Sequence, residues 1–184
     1  LSAPDFIDYR DRTHSFVGMA AVQPGNSANL SVSGAAPVRL NSAAVGARFF
    51  ELLGMPMRLG RGFLANEDQK GAERVAVISE KLWRNTFSAD PAVLGRVISI
   101  NGQDYKVVGV APSTLTYPRQ PDLWTPFEFE PWMTDPENRG AHFFSAIARV
   151  RPGLTAEDAQ RDMATVGARL QAEYPNSNAT ISGT

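Results

Sequence analysis

The stretch "GRVISINGQDYKVVGV", residues 95–110, decides the fold. Two runs rich in Val, Ile and Tyr flank Asn101-Gly102, a dipeptide that tolerates the positive φ angles of a type I′ turn, whose twist matches that of the strands it joins. The stretch therefore predicts a tight antiparallel hairpin. Upstream, "RVAVIS" contains a four-residue apolar run of the kind found in buried strands. Ser79 then stands where it can cap a helix over "EKLWRNTF", with Leu82, Trp83 and Phe87 on one face. Between helix and hairpin, "ADPAVLG" supplies Asp90 as cap, Pro91 in the first position and Gly95 as terminator of a single turn.

Working outward, "SAPDFIDYR" predicts a helix capped by Ser2, with Pro4 in the first turn and Phe6 and Ile7 buried. Residues 16–45 read as a small meander of short strands, "FVGMAAV", "NLSV" and "VRLNSAAV", punctuated by "QPGNSA" and "SGAAP". "ARFFELLG" predicts a short helix closed by Gly54 in a left-handed conformation. Six of the thirteen prolines lie between 112 and 136, which predicts a long, stiff surface excursion with "DLWTPF" as its one strand. "HFFSAIARV" alternates, placing Phe144, Ala146, Ala148 and Val150 on one face. Thr155 and Asp158 form a capping-box pattern at the head of the longest helix, whose stripe is Ala159, Met163, Val166 and Leu170 and which stops at Tyr174-Pro175. Strands and helices mix without regular βαβα alternation, so the class is α+β.

Composition narrows function by exclusion. The 184 residues carry 18 Lys plus Arg against 19 Asp plus Glu, a net charge of −1 that sets up no positive field for nucleic acid. With no cysteine there is no disulfide, thiolate metal site or cysteine nucleophile. No apolar stretch approaches the roughly 18 residues of a spanning helix. His14 and His142 stand in no metal-ligand spacing, and no nucleophile or nucleotide-binding motif occurs, so neither catalytic, cofactor nor metal residues are assigned. Glu67 and Asp68 in "GRGFLANEDQKG" lack the spacing of a Ca²⁺ loop and read as solvated or turn-capping. Trp83 reads as core. Trp124 and Trp132, in the Pro-rich excursion, are candidate partner contacts, against a competing reading in which each packs inward, the stronger reading for Trp124. The chain opens at Leu1 without initiator Met or signal segment and reads as a piece of something longer.

The ordered segments "FFELLG", "LGRGF", "NEDQ", "VAVIS", "LW" and "DPAVLGRVISINGQDYKVVGV" resemble the periplasmic domain of MacB-like ABC transporter permeases, a family that includes the FtsX-like permeases. "SAPDFIDYRDR" near the start and "RVRPGLTAEDAQRDM" to "EYP" near the end are similar to the same family, so the resemblance covers about residues 2–178. It implies a periplasmic domain of an inner-membrane protein, lying between two transmembrane helices. It also implies two lobes with mixed and antiparallel sheets: residues 1–43 and 140–184 as a membrane-proximal lobe, with 44–139 inserted as a second. A cytoplasmic ABC ATPase would be the partner through the full-length permease, with a second permease copy and periplasmic proteins as further contacts and the membrane reached through flanking helices. The implied role is non-catalytic: relaying ATP-driven transmembrane motion in export or efflux and contacting substrate or partner proteins. The alternative is a free-standing extracytoplasmic binding module using Trp124 and Trp132.

Overall fold

The computed structural model describes residues 1–32 and 36–178, with no account of the side chains of Asn26 and Asn178. In chain order the elements are α1 (Ala3–Arg12), β1 (Phe16–Ser31), β2 (Val38–Val45), α2 (Phe49–Leu53), β3 (Leu59–Gly60), β4 (Val75–Ser79) and α3 (Glu80–Phe87). There follow β5 (Val97–Ile100), β6 (Gln103–Ala111), β7 (Leu123–Pro126), β8 (Ser145–Val150), α4 (Ala156–Glu173) and α5 (Pro175–Asn178). Single 3₁₀ turns occupy Pro91–Val93 and Pro136–Gly140.

Local chemistry set most of these boundaries as expected. Ser2 accepts a hydrogen bond from the Asp5 N–H, Ser79 from that of Leu82 and Asp90 from that of Ala92, each satisfying a donor that the first turn leaves free. Gly54 closes α2 at φ 64°, and Thr155 and Asp158 form a reciprocal capping box on α4. The hairpin is present: β5 and β6 pair antiparallel, and Asn101 and Gly102 have φ of 51° and 80°.

The expected meander over 16–45 is instead one long strand followed by its partner. Pro24-Gly25 makes no turn; β1 runs through it with a bulge between Pro24 and Ser27, still paired to β2 on both sides. Here glycine is required sterically, because a Cβ on Gly25 would lie 1.1 Å from the Ser42 carbonyl oxygen. The "SGAAP" part of that reading falls mostly outside the described residues.

The described strands form one mixed sheet, and six of them close on themselves. β1 pairs β2, β2 runs parallel to β7, β7 pairs β4, β4 runs parallel to β6, β6 pairs β5, and β5 returns to β1. The return seam is short, joining Leu30 to Ile100 and Ser31 to Ser99. The hairpin turn reinforces it: the Asn101 N–H donates to the Asn29 carbonyl at 2.9 Å, and the Asn101 side-chain oxygen accepts from the Asn29 N–H at 2.9 Å. β8 extends the sheet from the first half of β1, and β3 adds to β6.

β4 is buried on both faces, with Ala76 and Ile78 in one core and Val77 in another. The first core packs these and β5–β6 residues against Leu82, Trp83 and Phe87 of α3. The other centres on Phe49, Phe50 and Trp124. A third gathers α1, the start of β1, α4 and the aromatics Phe127 and Phe144. Two expected apolar stripes are only partly buried. Phe144 is covered, but Ala146 and Ala148 are exposed because β8 ends the sheet and pairs β1 alone among the described residues. On α4, Ala159, Val166 and Leu170 are buried while Met163 stays 39% exposed at the rim of a groove.

Candidate interaction surfaces

Both ends of the described chain converge on residues 136–144. The Leu1 nitrogen donates to the Phe144 carbonyl at 2.8 Å. Arg139, only 4% exposed, donates to Asp5 at 2.8 Å and to Asp8 at 2.6 Å, both on α1. Its guanidinium also lies 3.7 Å from the centre of the Tyr174 ring, at the end of α4. Burial works against the charge of Arg139, but hydrogen bonds from its guanidinium to Asp8 and Asp5 outweigh it and raise its pKa. The Ser2 hydroxyl donates to Asp5 at 2.7 Å, and His142 stands 4.0 Å from the same carboxylate. One cation therefore ties α1, the 136–140 turn and the α4 terminus together. Sequence reading placed Asp5 only as the third residue after the Ser2 cap and gave Asp8 and Arg139 no role. Asp5 and Arg139 are 134 positions apart, so no local pattern signals the pairing.

The Pro-rich excursion splits into two halves of different character. Trp124, on β7, is fully buried, its ring 5.9 Å from that of Phe50 and its indole N–H donating to the Tyr117 carbonyl at 3.3 Å. As a partner contact Trp124 is therefore corrected: β7 runs between two cores, with Leu123 and Trp124 both fully buried on its opposite faces, so Trp124 offers no surface. Trp132 is 54% exposed. Its ring lies 5.8 Å from Phe143, at the edge of an aromatic cluster of Phe6, Phe127, Phe129 and Phe144.

A groove of about 650 Å³ runs along α4, between Tyr9, Phe16 and Val150 on one side and Met163, Gly167 and Leu170 on the other. Its lining is mostly apolar and holds no titratable pair suited to acid–base chemistry. The histidines are separate: the His14 N–H donates to Asp162, and His142 faces Asp5. Glu67 is paired with Arg61 at 2.7 Å and accepts from the Leu64 N–H, while Asp68 accepts from the Ala47 N–H. Both loop carboxylates thus bind their own fold. Among the described residues no group of three or more His, Cys, Asp or Glu could hold a metal, and no helix is long and apolar enough to cross a membrane.

A family model described as the MacB-like periplasmic core domain matches residues 2–166. The chain belongs to this family. It is a periplasmic domain of a MacB-like ABC transporter permease of the inner membrane. Macrolide export ATP-binding/permease proteins MacB from Burkholderia pseudomallei are 33% identical over 127 residues, and the one from Burkholderia thailandensis is 32% identical. Those alignments cover 66% of this chain but 18% of the relatives, so the chain spans a minor part of their length. The periplasmic region of MacB from Actinobacillus actinomycetemcomitans superposes with a TM-score of 0.69 at 15% identity, over 97% of this chain and 76% of that one. A permease domain from Porphyromonas gingivalis gives 0.70 at 15% identity, over 96% and 80%. The extracellular domain of the Gram-positive transporter YknZ gives 0.64 at 14% identity, over 97% and 87%. At these identities the likeness is one of fold. The mixed α+β MacB-like periplasmic fold expected from the hairpin and its neighbours is the fold found.

Proposed function

We propose that this MacB-like core domain is a non-catalytic relay: it sits between two membrane spans of its permease and carries ATP-driven helix motion into periplasmic contacts. The carrying observation is the Arg139 clamp, which joins α1, the 136–140 turn and the end of α4 into one unit. A movement imposed on either chain end then reaches the sheet without being absorbed by a hinge. The proposed partners are a cytoplasmic ATPase, a second permease copy, and periplasmic substrate or adaptor proteins. The division into a membrane-proximal lobe (1–43 and 140–184) and an inserted lobe (44–139) belongs to the same proposal. Its support is the core of α1, α4, Phe127 and Phe144, distinct from the core around α3, the two parts being joined by the strand ring that runs through both; residues 179–184 lie outside the described part. The free-standing binding module is the weaker reading, since Trp124, one of its two anchors, is buried.

These 184 residues hold no cysteine, so a cysteine placed among them reports their topology once any cysteines elsewhere in the parent are replaced. In the parent permease, Leu64→Cys at a half-exposed position should react with a membrane-impermeant maleimide added outside the inner membrane. Apolar segments of about 20 residues should flank the domain on both sides. A parent reading frame with a cleaved leader and no spans would overturn the relay and favour the module.

A further inference from the structure

We propose that two adjoining cavities between α1, the head of β1 and the 65–70 loop bind a small amphipathic anion, a carboxylate or phosphate head on an apolar body. The larger holds about 350 Å³ and the smaller about 180 Å³, and Arg10, Met19 and Arg48 wall both. The larger is lined by the apolar Phe6, Met19 and Phe129 and edged by Lys70. The smaller adds Arg151 to the two shared arginines. An apolar wall with a few convergent polar groups is the usual make-up of a small-molecule site, and the larger cavity lies at the low end of the roughly 300–1,000 Å³ such sites span. The four cations come from the last turn of α1, the residue ahead of α2, the 65–70 loop and the residue after β8. The fold, not a run of sequence, collects them.

Their donors are only partly used by the protein. Asp11 accepts from Nε and Nη2 of Arg10 at 2.7 and 3.1 Å, and Glu51 from Nε and Nη2 of Arg48 at 3.1 and 2.7 Å. Arg10 keeps Nη1. Arg151 gives Nε to the His14 carbonyl at 2.8 Å and keeps both terminal nitrogens, and Lys70 has no ion-pair partner among the described residues. The one carboxylate in the walls, Asp68, is occupied by the Ala47 N–H. Arg48 is also positioned: it donates to the Val17 carbonyl at 3.2 Å, and a Cβ on Gly18 would overlap its guanidinium. Planar guanidinium forks match carboxylate and phosphate oxygens, and donors already held in place lose little freedom when an anion arrives. The larger groove along α4 has no charged residue in its lining, so it offers an anion nothing comparable.

The test titrates the isotope-labelled 184-residue chain with octanoate, octyl phosphate, 1-octanol and inorganic phosphate, following backbone amide shifts. Octanoate or octyl phosphate is expected to move the amides of Met19, Ala21, Ala47 and Lys70 saturably. 1-Octanol and inorganic phosphate, each lacking one half of the ligand, should bind there about tenfold or more weakly. The tighter of the two anions assigns the head group. Arg151 and Lys70 are exposed, so Arg151→Gln with Lys70→Gln should leave the rest of the spectrum in place and weaken binding by about tenfold or more. No saturable shift at the cleft with either anion overturns the proposal, as does undiminished binding in the double variant. Equal affinity for 1-octanol makes the site a merely apolar pocket and also overturns it. Shifts produced by an oligoglutamate peptide but by neither octyl anion would make the cleft a docking surface for acidic protein, with the same consequence. The relay reading is decided by the flanking spans and not by ligand binding, so the two fail separately.

Discussion

Two tryptophans in one Pro-rich excursion have opposite fates, and a substitution at each reads the difference. Trp124 fills the core between Phe50 and β4, so Trp124→Ala should cost about 3–5 kcal/mol of unfolding free energy. Trp132→Ala should stay within about 0.5 kcal/mol of the parent, because an exposed ring has little packing to lose. Urea melts of the two variants check the pair. Arg139 is the more consequential residue. Arg139→Met removes the buried cation that faces Asp5, while Asp8 keeps Arg12 at 2.9 Å, and should cost about 3–5 kcal/mol. Adding Asp5→Asn should restore part of that loss, since the penalty comes from the stranded charge. Sequence could place Trp124 on a strand but could not show that both faces of that strand are buried. It could not find Arg139, whose partners lie at the other end of the chain.

At the scale of elements, local signals were legible and long-range adjustments were not. The caps of α1, α3 and α4 and the Asn101-Gly102 turn each depend on residues within four positions of one another, and all were readable. Pro24-Gly25 carries the same local signature as a turn. Only the approach of the Ser42 carbonyl from β2 shows that it is a bulge in a continuing strand. Gly25→Ala should therefore destabilise by about 3 kcal/mol or more, beyond the usual cost of replacing a turn glycine, as thermal unfolding would show. The packing of α4 gives a pH prediction. Burial would raise the pKa of Asp162, but hydrogen bonds from the N–H groups of His14 and Ser15 outweigh it and hold that pKa below the ordinary carboxylate value. A depressed carboxylate contributes stability that is complete above its unfolded value, near ~3.9, and is lost as pH falls through the lower folded value. Asp162→Asn should lower the melting temperature at neutral pH and flatten its decline below about pH 4.

For the whole molecule, the decisive feature is the closure of six strands through a seam of two residue pairs between β1 and β5. No sequence pattern reports this closure, because each pairing is individually ordinary and only their order makes a ring. The seam explains why the hairpin turn is Asn-Gly. Gly102 needs only its positive φ, whereas Asn101 both turns the chain and bonds both backbone groups of Asn29, so it joins the hairpin to the far end of β1. A relay that moves as a rigid body requires this seam to hold in the native state, since a ring that opens would absorb imposed motion. The backbone amides of Asn29, Asn101 and the β5–β6 ladder should then exchange with solvent only through global unfolding. Asn101→Ala, which loses the side-chain bond and places a Cβ without local hydrogen bonding at φ 51°, should bring exchange at the seam forward by about tenfold or more, relative to the core amides of β4. Fast exchange at the seam of the unsubstituted domain would identify it as a soft element and remove the physical basis for a rigid lever.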